Sequence, residues 1–392
     1  MPSSMSFNAY VLLWFLLPVA AASGWLAAKW STKSASGKRS FDLPSAYFKG
    51  LNYLLNEEPD KAIELFVKVL EVNSDTAETH LALGNLFRRR GEVERAIRIH
   101  QNLVARPTLN ESQRAQALLE LGQDYLKSGL FDRAENLFAE LTDNREYRER
   151  AFEYLLSIYQ QEREWEKAIA MSKKLAQASG ESQNTRIAQY YCEMAETALQ
   201  KKDYREAQHN AQQALSTDKE CVRASLIQGT IQAEQGNYEE AIKAWQRIEK
   251  QDPTFLGEVA DRIADAYRRI GDDAGLKQFF SKVSERHNSA EMMLVLGDII
   301  KEKEGVEQAE EFIVNWLRKR PSVQGLYRLI DLNVWKAGGK NSDLLLLKGI
   351  IGELKNRQEG YICKHCGFQG KSMHWLCPSC NQWNTIRPVM EG

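Results

Sequence analysis

The chain of 392 residues lacks an excess of charge of either sign, with 52 Lys and Arg against 53 Asp and Glu and a formal net charge of −1. No basic surplus draws it to nucleic acid, and its many charges are expected on solvated helix faces. It also lacks a phosphate loop, a His-Glu-x-x-His pair and a Gly-x-Ser-x-Gly elbow, so nothing marks a hydrolase or a transferase, and neither catalytic nor organic-cofactor residues are assigned. Cysteines number only six. Cys192 and Cys221 fall within apolar helical patterns and read as ordinary packing, which leaves four near the carboxyl end. The length exceeds what one core organises, so several modules are expected.

What is present is a period. Around Gly84 run Leu81, Leu83 and Phe87, then Gly91, Ala96 and His100, and 34 residues earlier the same frame holds Gly50, Tyr53, Ala62 and Phe66. Tyr125 and Tyr159, Ala134 and Ala168, and Ala207 and Ala241 keep the same spacing. Gly or Ala at the eighth position (Gly50, Gly84, Gly122, Ala195, Gly229, Ala264, Gly297) lets two helices approach closely, and an aromatic three residues on packs one turn further. Gly91, Gly129, Gly236 and Gly271 sit where a first helix ends in a left-handed residue. Alanine at the twentieth position and a bulky residue four later (Phe66, Phe138, Trp245, Phe280) give the second helix its apolar face.

The frame resembles the tetratricopeptide repeat over roughly residues 44–320, in about eight copies, and so predicts an all-α solenoid. The fourth copy departs with Leu156 at the small position and the fifth with Ala198 at the aromatic one. Longer spacings between Ala96 and Ala134 and between Ala168 and Ala207 place extra residues near Arg106–Glu111 and Ser179–Ser182, where longer inter-repeat loops are expected. An array of this kind binds. Arg88, Arg89, Lys127, Gln160, Gln161, Asp261, Asp265, Arg268 and Arg269 fall at its inward positions, and their mixed charge suits a peptide or protein partner.

Residues 7–28 carry no charge and are long enough to cross a hydrocarbon core as a helix, with Trp14, Trp25 and Trp30 as interface anchors. The basic residues Lys29, Lys33, Lys38 and Arg39 follow the run, which predicts a single-pass segment (1–30) with the bulk of the chain on the cytoplasmic side. A cleaved signal would need positive charge ahead of its apolar core. Residues 31–43 read as a flexible basic tether. Beyond the array, 321–358 show helical apolar spacing and are expected to cap it.

The last module, 359–392, carries the sharpest chemical signal. Cys363 and Cys366, then Cys377 and Cys380, form two Cys-x-x-Cys knuckles that can supply four thiolates to one tetrahedral ion, iron or zinc. Gly367 suits the turn after the first knuckle. Four sulfurs leave no open position for a substrate, and His365 and His374 are surface residues rather than ligands. The pair resembles a rubredoxin or zinc-ribbon fold, and about 30 residues can hardly fold without the metal.

Anchor, repeats and four-cysteine module in this order resemble the lipopolysaccharide assembly protein B family of Gram-negative bacteria. The resemblance implies an inner-membrane, non-enzymatic adaptor facing the cytoplasm. It would promote degradation of the deacetylase that commits lipid A synthesis, by a membrane-bound AAA+ zinc protease. It also implies that Cys363, Cys366, Cys377 and Cys380 hold a metal, iron by family expectation or zinc, that Trp375 or Trp383 seats the module on the array, and that other inner-membrane lipopolysaccharide proteins and oligomers belong among the partners. The rival reading is a membrane-anchored electron carrier with an iron four-cysteine site.

Overall fold

A helix buries one stripe, and two helices joined by a tight turn can bury their stripes against each other only where their surfaces interlock. The computed structural model describes Ser23, Trp25 and residues 45–56, 58–72, 77–287, 289–357 and 360–389. The apolar run at 7–28, apart from Ser23 and Trp25, and the basic stretch at 31–43 lie outside the described residues. Among the described residues no helix is long and apolar enough to cross a membrane. The chain divides into Met1–Leu137 and Phe138–Gly392.

The first part is built of helical hairpins: α1 (Ser45–Leu55) with α2 (Pro59–Val72), α3 (Ala77–Arg89) with α4 (Val93–Val104), then α5 (Glu111–Lys127) and α6 (Phe131–Leu141), which runs across the division. Ala62 and Ala96 are completely buried. A β-carbon on Gly50 would lie 2.6 Å from the Phe66 ring, and one on Gly84 would overlap the His100 imidazole. His100 is buried, and its Nδ1 stands 2.5 Å from Asp124 Oδ2. Arg88 donates to Asp124 at 2.8 Å and to Glu120 at 2.5 Å. Burial works against the Arg88 charge, but the two carboxylates more than offset it and raise its pKa. Arg88, expected at the inward partner surface, is therefore committed to the array itself.

The second part continues with α7 (Arg148–Glu162) and α8 (Trp165–Ser179), α9 (Asn184–Gln200) and α10 (Tyr204–Thr217), and α11 (Val222–Glu234) and α12 (Tyr238–Gln246). A single helical turn (Ile248–Gln251) and a 3-10 segment (Pro253–Val259) precede α13 (Ala260–Ile270) and α14 (Asp273–Arg286). Then come α15 (Ala290–Glu304) with α16 (Val306–Lys319), and α17 (Val323–Lys336) with α18 (Ser342–Arg357). Three short strands close the chain, β1 (Tyr361–Cys363), β2 (Gln369–Gly370) and β3 (Ile386–Pro388), in the antiparallel order β2-β1-β3.

Hairpin packing follows a volume exchange between the eighth position and the one sixteen residues on. Gly229 faces the Trp245 indole. Where the eighth position is large, as at Leu156, its counterpart is Ser172, and where it is Ala195 the counterpart is Ala211; all four are completely buried. The departure noted at Leu156 is thus a size swap within the same frame.

Of the two longer loops expected, one takes another form. The link between α4 and α5 is the longer one expected, residues 105–110, whereas that between α8 and α9 is only residues 180–183; extra residues also lengthen α5 and α9 to 17 residues each, against 13 in α3 and α11. Four residues amount to about one turn of helix. Counted back from the buried alanine of each second helix, the added turn stands at the amino end of α9, Asn184–Ile187.

The turn glycines Gly91, Gly129, Gly236 and Gly271 all have φ between 72° and 83°. The fourth and fifth hairpins use Arg163 (φ 58°) and Lys202 (φ 60°) at the same place. A left-handed residue with a β-carbon costs about 1 kcal/mol, so Lys202→Gly is expected to stabilise the protein by about 0.5–1 kcal/mol in urea or thermal unfolding. Gly229→Ala is expected to destabilise it by about 1–3 kcal/mol through overpacking against Trp245. Equal stability of either variant and the parent would contradict this account.

Candidate metal centre and its seat

Each knuckle is a tight turn built by backbone hydrogen bonds. In the first, Gly367 N donates to Cys363 O at 3.0 Å and Cys363 N to Phe368 O at 2.7 Å; in the second, Asn381 N donates to Cys377 O at 2.9 Å and Cys377 N to Gln382 O at 3.0 Å. Gly367 (φ 77°) and Asn381 (φ 54°) occupy the same left-handed position after each second cysteine. Asparagine tolerates that conformation better than most residues, and its role here was not read from the sequence. Lys364 N donates to Thr385 O at 2.8 Å, and Leu376 bridges Trp383, so the two turns face each other.

This brings Cys363, Cys366, Cys377 and Cys380 together, with all four sulfurs within 4.8 Å of one another. Cys363 Sγ is 3.9 Å from Cys380 Sγ, and Cys366 Sγ is 3.7 Å from Cys377 Sγ. A disulfide requires about 2.05 Å, whereas a tetrahedron with metal–sulfur bonds of about 2.3 Å has edges of about 3.8 Å. The donor set fits one metal ion. Burial alone would raise the Cys363 thiol pKa, but the Thr385 hydroxyl, 3.3 Å from its sulfur, and the N–H groups of Cys366 and His365 bring it to about 6. Cys380 is pushed up to about 12, by burial first and then by the neighbouring sulfurs. Cys363 and Cys377 are buried and Cys366 is exposed. His365 and His374 are exposed and outside the cluster, His374 Nε2 standing 3.0 Å from Ser372 Oγ.

The module is seated on the repeats of its own part of the chain by its aromatic and charged residues. Trp375 stacks on Phe255 (5.5 Å, 17°), and the Arg223 guanidinium lies 5.7 Å from the Trp375 ring centroid. Trp383 meets Tyr190 edge-on at 5.8 Å and donates from Nε1 to Gln160 Oε1 at 2.8 Å. Tyr361 donates its hydroxyl to Glu258 at 2.6 Å, and burial followed by that carboxylate raises its pKa. Arg387 pairs with Asp252 at 2.7 Å and lies 5.3 Å from the Phe255 ring centroid. Both tryptophans thus face the array, and Gln160, expected to meet a partner, meets the module instead.

The receiving surface has a local cause. Asp252 caps the segment that follows it, accepting from Thr254 N at 3.1 Å, and Pro253 takes the first position. The chain then runs in 3-10 form through Val259, completely burying Phe255, Leu256 and Val259 while offering the Phe255 ring, Asp252 and Glu258 to the module. Arg223 is only 3% exposed and is held by Glu196 (2.8 and 2.9 Å), Glu193 (2.7 Å) and Gln189 (3.3 Å). Those carboxylates outweigh the burial that opposes its charge and raise its pKa. A charge desolvated and fixed in this way gains from an aromatic face. Sequence reading missed Arg223, Asp252, Phe255, Glu258 and Arg387; the Asp-Pro pair at 252–253 was the one available signal.

Tetratricopeptide repeat families match residues 79–114, 119–182 and 192–254, and the rubredoxin metal binding domain family matches residues 361–388. Lipopolysaccharide assembly protein B of Escherichia coli K12 is 37% identical over 380 residues, covering 96% of this chain and 98% of that protein. The chain belongs to the lipopolysaccharide assembly protein B family. The Haemophilus influenzae member is 36% identical over 388 residues, with 96% and 98% covered. Among solved structures, yeast Tom70 is similar at 15% identity and a TM-score of 0.37, over 80% of this chain and 77% of that one. In this member of the family, the four-cysteine module packs through Trp375 and Trp383 on the repeats of the second part of the chain.

Trp375→Ala removes the ring between Phe255 and Arg223 and is expected to lower stability by about 2–4 kcal/mol, toward the range for buried aromatics. Limited proteolysis should then cut within 360–389 much faster than in the parent. Unchanged stability and unchanged cleavage would refute the seat.

Proposed function

We propose that this chain is a non-enzymatic inner-membrane adaptor. It would regulate lipopolysaccharide synthesis by presenting the lipid A-committing deacetylase to a membrane-bound AAA+ zinc protease. Supporting this is the near-full-length similarity to relatives named Lipopolysaccharide assembly protein B, together with tetratricopeptide repeats, whose use is protein binding. In this reading 1–30 spans the membrane once, 31–43 tether the array, 44–320 are repeats, 321–358 cap them, and 359–392 form the metal module on the cytoplasmic side. Other inner-membrane lipopolysaccharide proteins are further partners, in an oligomer or not.

The proposed metal ligands are Cys363, Cys366, Cys377 and Cys380, holding one iron or zinc ion. When bound, such an ion cross-links two knuckles that have too few apolar residues to fold unaided. The chain's own residues do the rest: the knuckle amides and Thr385 stabilise thiolate at Cys363, and Trp375, Trp383 and Arg387 fix the module against the repeats. The exposure of Cys366 favours a second reading, an electron carrier with iron. A reversible one-electron wave from the purified protein would favour that reading, and bound zinc would exclude it.

Purification from cross-linked native membranes separates these outcomes. The intact chain is expected to carry one metal per chain and to recover the deacetylase and the protease, while a Cys377→Ser, Cys380→Ser double variant loses the metal and recovers at least about tenfold less of both, the scale on which such supporting contacts act. Recovery of redox enzymes in their place would overturn the adaptor reading.

A further inference from the structure

Where the second knuckle meets the fourth and fifth hairpins, it does not close against them completely. A cleft of about 680 Å³ remains, walled on one side by Leu376, Asn381, Gln382 and Trp383 of the module and on the other by the carboxyl end of α7 and the added first turn of α9. The primary amides of Gln161, Gln183, Asn381 and Gln382 line it, and none of these four side chains makes a hydrogen bond among the described residues. Glu153 and Arg186 also line the cleft and are paired with each other at 3.0 Å. Arg163, exposed and without an ion pair among the described residues, supplies the uncompensated charge.

We propose that this cleft binds an extended peptide segment of a partner protein, with a carboxylate of that segment on Arg163. A primary amide offers two donors and an acceptor. Amides on opposite walls therefore match the alternating N–H and C=O groups of an extended backbone, as in peptide recognition by strand addition, where main-chain bonds give affinity and one or two side chains give selectivity. Uncompensated positive charge selects an acidic segment over a basic one and raises its rate of encounter. Arg163 also occupies the left-handed turn position that four other hairpins give to glycine. Glycine would be the more stable choice there, so arginine at this turn carries a local cost, as Lys202 does in the next hairpin. The added turn of α9, which brings Gln183, Thr185 and Arg186 to the cleft, belongs to the same construction.

One wall is the metal knuckle and the other is the array, so the groove exists only when the module is seated. The inference deepens the adaptor reading by naming where a client segment docks, and it rests on that reading only for the identity of the client.

The probe is a displayed library of random dodecapeptides, selected on the full-length metal-loaded chain in detergent and counter-selected on the Gln161→Ala, Gln382→Ala double variant. Acidic extended peptides are expected, and their dissociation constants should rise at least about tenfold in both the double variant and Arg163→Gly. Arg163→Gly should keep or raise the melting temperature, which separates lost recognition from lost folding. Amidated and free-acid forms of the selected peptides distinguish a side-chain carboxylate from a terminal one. Selected peptides that bind both variants as well as the parent, or a selection without acidic residues, would overturn the proposal. The purified deacetylase, tested on the same variants, separates this inference from the adaptor reading. Binding to the parent that the cleft variants lose supports both, and binding that the variants keep overturns the cleft alone. Failure to bind the parent while the peptides still require the cleft removes the deacetylase and leaves the site.

Discussion

Two helices of a hairpin approach closely where one of two facing side chains is small, and several hairpins of this chain answer to that constraint. Gly50 under Phe66, Gly84 under His100 and Gly229 under Trp245 meet it with glycine in the first helix. The pair Leu156 and Ser172 meets it from the other side, with the small residue in the second. Where one residue of a pair is large its counterpart is small, so bulk at one position is accommodated by its absence at the other. Stacked hairpins bring side chains far apart in sequence, such as Gln160, Tyr190, Arg223 and Phe255, to one receiving surface.

On that surface the four-cysteine module behaves as a further structural layer. Its four sulfurs cluster as one site, and its outward tryptophans meet a ring, a cation and an amide of the array. Arg223 illustrates the economy of the arrangement. A guanidinium held by Glu193, Glu196 and Gln189 of the array presents a restricted side chain to Trp375, which lowers the entropy cost of ordering it at the contact. The 3-10 segment does the same for Phe255, which is locked by burial on one face and open to Trp375 and Arg387 on the other.

Much of this was legible in the sequence, for reasons that differ by feature. The 34-residue frame showed because small and bulky positions repeat at fixed spacing, and the knuckles because metal ligation demands four cysteines at set distances. The turn glycines announced left-handed residues, but Arg163, Lys202 and Asn381 adopt the same conformation without announcing it. Extra residues in the spacing were visible, yet whether they extend a loop or a helix depends on packing at Asn184–Ile187, which no local pattern reports. The seat was least legible. Trp375 and Trp383 stand out as surplus aromatics, while Arg223 and Glu258 look like ordinary helix-surface charges until the module covers them, and Gln160 looks like an inward partner residue for the same reason.

The central claim is that the metal module and the repeats beneath it fold as one structure. Hydrogen exchange on the full-length protein, metal-loaded and after chelation, tests it most directly. If the claim holds, chelation removes protection from 361–388 and also from Pro253–Val259 and the first turn of α9, while α3 and α4 exchange as before. If protection is lost only within 361–388 and the 3-10 segment is unaffected, the module is merely attached to the array, and the account of the seat is wrong.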